Sequence, residues 1–380
     1  MRHVVICGAG FGGLELSTQL ADHFPDGVTT TLIDANDSFV FGFNKLDVLF
    51  GRKTLDQVRI PYRSLAKPGA KPGVDFRQER ITSIDPRTRR VTTTGGTYDA
   101  DILVIALGAD YDIEATPGLR EAGEFYSVEG AQRLAASVEA FAGGRAVIGI
   151  CGPFFKCPPA PFEAALLLDA HARGRGVRER CEIGIWSPLP MPIPVSVPTS
   201  EAIVRKLDEH GISSTFGELV VSVDPDAKVA HMKSGGTVDY DLFLGIPKHV
   251  APDVLTDSGL LTDGWIAVDK QHLSTTFENV YAVGDVATAP TPRAGVFAEG
   301  QAKAAFADIA SKIRGEAEAP PYDGRGVCYM EVGGGLVAKV DTDFLGGPKP
   351  VAVIVDESVE LAREKELFGS TRRERWFGTA

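Results

Sequence analysis

Short apolar runs alternate along the chain with longer segments that favour helices. Residues 4–7 and 29–34 are two such runs, and a helix is predicted between them as far as about Phe24. The same order of strand, helix and strand returns around residues 146–150 and 182–186. Parallel strands joined by helices are typical of α/β folds with a buried sheet. The pattern therefore predicts two Rossmann-like units.

The remaining pattern predicts a small C-terminal α+β region. Its strands are predicted at residues 327–331, 336–340 and 351–355, followed by a charged helix from about Ser358. This helical end is brief, with segments at 361–368 and 372–377. Its last aromatic pair, Trp376-Phe377, is interpreted as part of a packed terminal helix rather than as a contact with a bilayer or a wall of the cofactor site. The proline-rich residues 187–198 are predicted to form an extended surface loop.

Composition and charge narrow the class of protein. The 380 residues include 44% hydrophobic and 24% charged residues, which is ordinary for a globular protein. A net charge of −12 without a basic run argues against nucleic acid and anionic membranes as partners. Residues 1–7 enter a strand directly, and no apolar run approaches the ~18 residues of a membrane span. We expect a cytoplasmic protein, at most peripheral at the cytoplasmic membrane face.

The turn after the first strand carries a dinucleotide fingerprint, Gly8-Ala9-Gly10-Phe11-Gly12-Gly13. Its glycines permit a tight turn and a close approach to a pyrophosphate, and the helix that follows offers N–H groups and a positive dipole end. The next strand ends in Asp34, beside Ala35, about 20 residues further on. In this context we predict a dinucleotide site with Asp34 on the ribose hydroxyls.

The second unit lacks such a loop. Read against the same motif, residues 149–154 keep only Gly149, because Cys151 and Phe154 stand at the other two glycine positions. We infer that a nicotinamide site has been exchanged for a thiol site.

Two further segments resemble the remaining fingerprints of the pyridine nucleotide-disulfide oxidoreductase superfamily, whose first dinucleotide is FAD. Residues 98–108 form one predicted strand and turn with Ala106 and Gly108, and residues 279–285 form another that ends in Gly284 and Asp285. The resemblance implies that FAD is the cofactor and that Asp285 binds its ribitol.

The resemblance also implies that a helix opening near Gly295 points its positive end at the flavin. Arg293 either adds its charge there or is a solvated loop residue. The predicted fold class is thus α/β, with two Rossmann-like dinucleotide-binding domains as in glutathione reductase. The predicted domains are an FAD domain (1–112 and 250–322), a second Rossmann-like domain with a degenerate NAD(P) motif (113–249) and a C-terminal region (323–380).

The five cysteines are too few and too scattered for a disulfide framework. Cys157 precedes Pro158-Pro159-Ala160-Pro161 and a helical segment, which places it at a helix N-terminus. There the dipole is expected to lower the thiol pKa, and the adjacent Lys156 acts in the same direction. Core packing is the alternative role. A redox role needs a second thiol, and Cys328 is the favoured candidate.

The sequence Lys-Cys-Pro-Pro-Ala-Pro-Phe-Glu at 156–163, with a distant Cys-Tyr-x-Glu at 328–331, resembles the sulfide:quinone oxidoreductase and flavocytochrome c sulfide dehydrogenase (flavin subunit) family. By that resemblance Cys157 and Cys328 carry a redox-active disulfide over the flavin and bind sulfur as a persulfide. The implied partners are a small sulfur substrate and a quinone or redox-protein acceptor; a homo-oligomer is compatible with the sequence.

The sequence leaves the roles of several residues open. Cys151 is either a third catalytic cysteine or a core residue, and Glu163 is either a general acid/base or an acid that complements the helix dipole. Cys7 and Cys181 are expected to be inert, and no metal site is predicted. Two other functions compete with sulfide or thiol oxidation: an NAD(P)H-dependent flavin reductase of a quinone or ferredoxin-type acceptor, and a flavin-bearing redox sensor.

Overall fold

A computed structural model describes residues 1–65, 73–316 and 318–378. The strands of these residues are β1 Arg2–Cys7, β2 Val28–Asp34, β3 Ser38–Phe39, β4 Ile60–Pro61, β5 Val74–Gln78, β6 Ile81–Asp85, β7 Arg90–Thr93, β8 Thr97–Asp99, β9 Ile102–Ile105, β10 Asp110–Asp112, β11 Gly144–Ile150, β12 Cys181–Ser187, β13 Ile212–Phe216, β14 Val220–Asp224, β15 Val229–Met232, β16 Thr237–Asp239, β17 Leu242–Ile246, β18 Lys248–Val250, β19 Leu261–Thr262, β20 Trp265–Ile266, β21 Val280–Ala282, β22 Arg325–Gly333, β23 Leu336–Asp343 and β24 Val351–Ser358. The α-helices are α1 Phe11–His23, α2 Asn44–Leu49, α3 Leu55–Val58, α4 Leu119–Ala122, α5 Val128–Ala140, α6 Ala160–Gly174, α7 Val197–Glu209, α8 Gly295–Arg314 and α9 Val359–Phe377.

The N-terminal fingerprint belongs to a five-stranded parallel sheet in the order β21-β9-β1-β2-β5. The last four residues of its central strand β1 are buried, because α1 and α8 pack on one face of the sheet while residues of β6 and β7 pack on the other. Helices α1 and α8 pack against each other beside this sheet. The first predicted Rossmann-like unit is therefore confirmed.

The second unit is a four-stranded parallel sheet in the order β13-β12-β11-β17. Helix α6 connects β11 to β12, and its apolar residues join the largest core cluster together with those of β11 and β22. The sheet confirms the second Rossmann-like unit, while the domain boundaries given above stay a prediction.

The strand predicted within residues 98–108 is broken by an aspartate, and the same arrangement occurs once more later in the chain. β8 ends at Asp99 and β9 begins at Ile102 in a different sheet, and β16 ends at Asp239 while β17 begins at Leu242, also in a different sheet. At the first break Asp101 accepts a hydrogen bond from the backbone N–H of His3 (2.8 Å), and at the second Asp241 accepts one from that of Arg145 (2.9 Å). Each carboxylate thus anchors the first residues of a neighbouring parallel strand, and the chain changes sheet there.

The C-terminal region is an antiparallel sheet, β22-β23-β24, followed by α9. Ser358 caps α9 by accepting a hydrogen bond from the N–H of Leu361 (3.1 Å). The two predicted helical segments form one continuous helix. Its Trp376 is buried and donates its indole N–H to Glu15 (2.8 Å), as expected for a packed helix end.

The proline-rich stretch is less extended than predicted. Helix α7 already begins at Val197, with Ser196 as its cap, and the side chain of Ile193 is buried. Proline is compatible with the first turn of a helix, so Pro198 does not delay the helix start. Among the helices of the described ranges, none is both long and apolar enough to cross a membrane.

Candidate active site

One cavity of about 370 Å³ brings most of the predicted site residues together. Its walls come from the loop before α1, the ends of β9 and β21, the start of α8, the segment before α6, strand β22 and helices α2 and α9. The predicted site residues that line it are Gly10, Phe11, Gly12, Ala106, Gly108, Lys156, Cys157, Glu163, Gly284, Asp285, Gly295 and Cys328. The fold therefore joins the fingerprint glycines and the two cysteines in one site.

The glycine loop has the shape that a bound dinucleotide needs. A Cβ atom at Gly8 would lie 2.4 Å from the carbonyl oxygen of Ala106, and one at Gly13 would lie 1.9 Å from that of Gly8. At Gly10, by contrast, a Cβ would meet no protein atom within 4 Å. Gly8 and Gly13 thus permit the tight turn, and Gly10 keeps the space beside the helix start open. The residues fit FAD at this position.

Helices α1 and α8 both begin at the cavity. Gly10 caps α1 and Ala294 caps α8, in both cases without a side-chain hydrogen bond, and both helix starts line the cavity. The first N–H groups of a helix have no intrahelical partner and carry a partial positive charge. The cavity therefore offers two sets of backbone donors to the anionic groups of a dinucleotide.

This geometry predicts different outcomes for two glycine substitutions. Gly13→Ala should lower the free energy of unfolding of the apoprotein by about 3 kcal/mol or more, because the added methyl group overlaps a backbone oxygen. Gly10→Ala should leave the apoprotein as stable as the wild type but weaken FAD binding about tenfold or more, since its methyl group enters the cavity. Denaturant titration of the apoprotein and flavin titration measure the two effects.

Gly174→Ala, in the last turn of α6, is the matched control, because a Cβ there also meets nothing within 4 Å. Gly174→Ala should lower neither the free energy of unfolding of the apoprotein nor its affinity for FAD. Equal FAD affinity in Gly10→Ala and the wild type would contradict the placement of the dinucleotide.

Some predicted cofactor residues lie outside the cavity wall. Gly8, Ala9 and Gly13 shape the loop from behind, and Asp34 accepts hydrogen bonds from the N–H of Ala9 (2.8 Å) and from Asn36. Ala35 is exposed at the end of β2. Asp34 thus holds the glycine loop in place, while its contact with a ribose stays a prediction.

Arg293 is not the solvated loop residue of the second alternative, while a contribution of its charge at the flavin stays a prediction. Its guanidinium stacks on the ring of Trp265, 3.8 Å from the ring centre, and its Nε donates to the carbonyl oxygen of Asp285 (2.7 Å). Its own carbonyl oxygen accepts the backbone N–H of Cys157 (2.7 Å). Arg293 is therefore a half-buried structural link between the Cys157 segment and the Asp285 turn, and it does not line the cavity.

The two cysteines approach the cavity from different parts of the fold. Cys157 lies just before Pro159, which caps α6, and has left-handed backbone angles (φ 57°) that are unusual for a residue other than glycine. Cys328 lies in β22, next to the start of α6, and both side chains are free thiols. A strained conformation at a reactive residue is typical of functional sites.

The expected lowering of the Cys157 pKa is wrong. Burial raises the pKa of the Cys157 thiol, and the neighbouring Cys328 and Glu163 raise it further. Burial, with Glu163, likewise raises the pKa of Cys328 to about 12. The helix start favours the thiolate, but removal from water opposes any charge and is the stronger effect here. Burial therefore favours the neutral, protonated form of both thiols.

Lys45, which was not predicted from the sequence, is a cation that acts on Cys157. The charge of Lys45 favours the Cys157 thiolate, although burial dominates. Its Nζ donates to the carbonyl oxygen of Tyr126 and lies 5.8 Å from the centre of that ring. Lys156 instead faces Tyr111, 4.7 Å from its ring centre, and lies 3.9 Å from Asp285. Lys156 thus carries its charge toward the Asp285 side of the cavity.

Glu163 is a buried carboxylate of the cavity wall. Its Oε1 accepts hydrogen bonds from the backbone N–H of Glu331 (3.1 Å) and from Nζ of Lys365 (3.3 Å). Burial raises its pKa above the usual range, against the charge of Lys365, and Glu331 contributes in the same direction as burial. A buried carboxylate with a raised pKa beside two thiols has the properties of a general acid/base.

Cys151 lies away from this chemistry. It does not line the cavity but belongs to a core cluster with Val147 and Phe243, and burial raises its pKa to about 12. The structure therefore favours the core interpretation over a third catalytic cysteine. Burial also raises the pKa of Cys7 and Cys181, in line with their expected inertness.

Sequence reasoning missed Lys45 and Lys365, and also the aromatic residues Tyr126, Phe43 and Phe368 that line the cavity. A single lysine within the apolar stretch 41–50 was an available signal for Lys45. Lys365 stands in a highly charged segment, where nothing distinguishes it from solvated neighbours.

Several known proteins are similar to most of this chain. A family model described as pyridine nucleotide-disulphide oxidoreductase matches residues 2–150 and 187–307. The mitochondrial sulfide:quinone oxidoreductase of Dictyostelium discoideum is 23% identical over 381 aligned positions, which cover 96% of this chain and 81% of that protein. The sulfide-quinone reductase of Aquifex aeolicus is 25% identical over 350 positions, which cover 82% and 77%.

The solved structure of the sulfide:quinone oxidoreductase from Aquifex aeolicus superposes with a TM-score of 0.88 at 22% identity, over 100% of this chain and 93% of that one. At that identity the likeness concerns the fold, and it confirms the predicted fold class.

Proposed function

The chain belongs to the pyridine nucleotide-disulphide oxidoreductase family and is an FAD-dependent oxidoreductase, and we propose that it oxidises sulfide through Cys157 and Cys328 and passes the electrons to a quinone. One observation carries this proposal: both thiols line the same cavity as the glycine loop and the start of α8. The names of the relatives from Dictyostelium and Aquifex support sulfide as the donor and a quinone as the acceptor.

The proposed reaction begins with the two cysteines joined as a disulfide. Hydrosulfide attacks one sulfur, the bond between the two cysteines breaks, and a persulfide remains on one residue while a thiolate remains on the other. Bound FAD supplies the acceptor for the two electrons of this product. Because burial raises the pKa of both cysteines, the thiolate is a high-energy species in this pocket and is a strong electron donor.

Two side chains assist this step. Glu163 takes the proton of the attacking hydrosulfide, because its carboxylate lies in the cavity wall and its raised pKa makes it a stronger base than an exposed glutamate. Lys45 attracts the anionic substrate and favours negative charge on Cys157.

A pyridine nucleotide donor fits the second sheet poorly. Only three residues, Gly8–Gly10, separate β1 from α1, whereas nine residues, 151–159, separate β11 from α6. A pyrophosphate at a Rossmann loop requires the helix to start close to the strand end. In the second unit that helix start lies at the cavity beside Cys157 instead. The loop between β11 and α6 therefore argues against the NAD(P)H-dependent alternative.

The apolar part of the cavity is the proposed quinone side. Val40, Phe43, Leu46 and Phe368 line it, and aromatic and aliphatic walls with few polar groups suit a quinone ring. We propose, as an extension, a cytoplasmic protein that meets its quinone at the membrane surface.

Anaerobic mixing of the holoenzyme with separate donors tests the function. We expect sulfide to bleach the flavin absorbance within a few seconds, while NADH and NADPH leave it unchanged on that time scale. Subsequent addition of a soluble quinone should restore the absorbance over many cycles. Rapid bleaching by NADH would overturn the proposal, and a single reduction without cycling would favour the redox sensor.

A further inference from the structure

Lys365 is a buried cation in the wall of the active site. It lies on α9, its side chain is only 10% exposed, and it lines both this cavity and a second one. A lysine is rarely buried unless it is paired, so its contacts identify what it does. Nζ of Lys365 binds two carboxylates, those of Glu163 and Glu331.

Each of these carboxylates belongs to the segment that carries one cysteine. Glu163 lies in the first turn of α6, six residues after Cys157, and Glu331 lies in β22, three residues after Cys328. Glu163 also accepts the backbone N–H of Glu331 (3.1 Å), so the helix and the strand are joined directly as well. Lys365 is the shared cation that makes this approach of two negative charges favourable.

We propose that Lys365 is a positioning residue that holds Cys157 and Cys328 at bonding distance by bridging Glu163 and Glu331. The inference rests on the proposed function for its cysteine pair. Without the ammonium group the two carboxylates lose the donor that joins them, and Glu163 is left buried either as an unpaired charge or in protonated form, so the link between the helix and the strand weakens. Separation of α6 from β22 lengthens the path between the two sulfurs, so the disulfide becomes harder to form.

The outer end of the bridge is fixed at the protein surface. Glu331 also pairs with Arg52, which in turn contacts Asp47 (2.9 Å). Despite its burial, Glu331 has a pKa lowered to about 2 by its hydrogen bond to Arg52 and the charge of Lys365. The strand end is therefore held from outside, and loss of Lys365 is expected to act mainly between Glu163 and Glu331.

The test is the thiol–disulfide equilibrium of the holoenzyme in glutathione buffers of set ratio. Formation of the disulfide transfers two electrons to oxidised glutathione, which gives two molecules of reduced glutathione and keeps the protons balanced. Alkylation followed by mass spectrometry gives the fraction of Cys157 and Cys328 that is joined. We expect Lys365→Met to lower the equilibrium constant about tenfold or more, and Lys365→Arg to restore most of it.

Lys339→Met is the matched control. Lys339 lies on β23 and binds Glu364 of α9 (3.2 Å), so its loss weakens the same helix-sheet contact without touching Glu163. It should leave the equilibrium within about twofold of the wild type, since exposed pairs contribute little. A purely structural Lys365 would lower the melting temperature but not move the equilibrium. If Lys365→Met does not accumulate as holoenzyme, Glu331→Gln carries the test, with a smaller shift expected in the same direction.

The outcomes separate the two proposals. An unchanged equilibrium in Lys365→Met, in a wild-type enzyme that oxidises sulfide, overturns the positioning role alone. A shifted equilibrium in a wild-type enzyme that does not oxidise sulfide leaves the positioning role standing and overturns the function. Failure of the wild-type cysteines to join under any glutathione ratio overturns both.

Discussion

Replacing Cys157 by serine should slow the sulfide-dependent reduction of the flavin by about 10³-fold or more, and Cys328→Ser should do the same. Each substitution removes one half of the disulfide that hydrosulfide attacks, so no persulfide forms on the enzyme. A serine hydroxyl cannot replace the lost sulfur, because it forms no bond of comparable reactivity with a thiolate. Stopped-flow measurement of flavin absorbance under anaerobic conditions gives the rate.

Three further variants make this result specific. Cys151→Ser and Cys181→Ser remove buried thiols outside the cavity and should keep the rate within a few-fold of the wild type. The double variant Cys157→Ser with Cys328→Ser should be no slower than either single variant, since residues that act as a unit are not additive. A large loss in Cys151→Ser alone would restore the third-cysteine hypothesis. Full activity in Cys328→Ser would refute the pair.

The fold was predictable because its signals are local. A glycine turn between a buried strand and a helix fixes its own geometry, and the apolar runs at 4–7 and 146–150 have one compatible environment, the middle of a covered sheet. The breaks at Asp101 and Asp241 were not predictable in this way. Each depends on a backbone N–H of a strand that lies about a hundred residues away in the chain.

The candidate site was predictable only in part. Cys157, Cys328 and Glu163 stand in recognisable motifs, and the structure brings them to one cavity. Lys45 and Lys365 have no motif, because their roles arise from burial by remote segments. From sequence, a lysine in a highly charged helix is predicted to be exposed to solvent, and only the tertiary structure shows that it is buried.

The error in the Cys157 pKa has the same origin. A helix start can be read from prolines, and its dipole acts over the first turn. The desolvation that opposes it depends on every segment that closes the cavity, and the nearby Cys328 and Glu163 add to the rise in pKa. The sequence therefore predicts the direction of the smaller effect, that of the helix dipole, but not the larger effect of desolvation on the Cys157 pKa.

Glu163→Gln should lower the rate of sulfide-dependent flavin reduction by about 100-fold or more near neutral pH. Glutamine is close in size and can still accept hydrogen bonds from Lys365 and from the Glu331 N–H, but it cannot take up a proton. In the wild type only the carboxylate is active as a base. Because burial raises the pKa of Glu163, the wild-type rate should fall as the pH drops through a value above the usual glutamate range, and rise to a plateau above it.

The variant should lose that pH step, which separates a proton acceptor from a residue that only supports the wall. Hydrogen sulfide itself titrates, but this affects wild type and variant alike, so the ratio of their rates isolates the contribution of Glu163. That ratio should be largest at high pH, where the wild-type carboxylate is fully ionised, and should shrink toward low pH, where both enzymes lack a base. A ratio independent of pH would instead assign Glu163 to the support of Lys365, whose bridge to Glu331 would then be the reason for the loss.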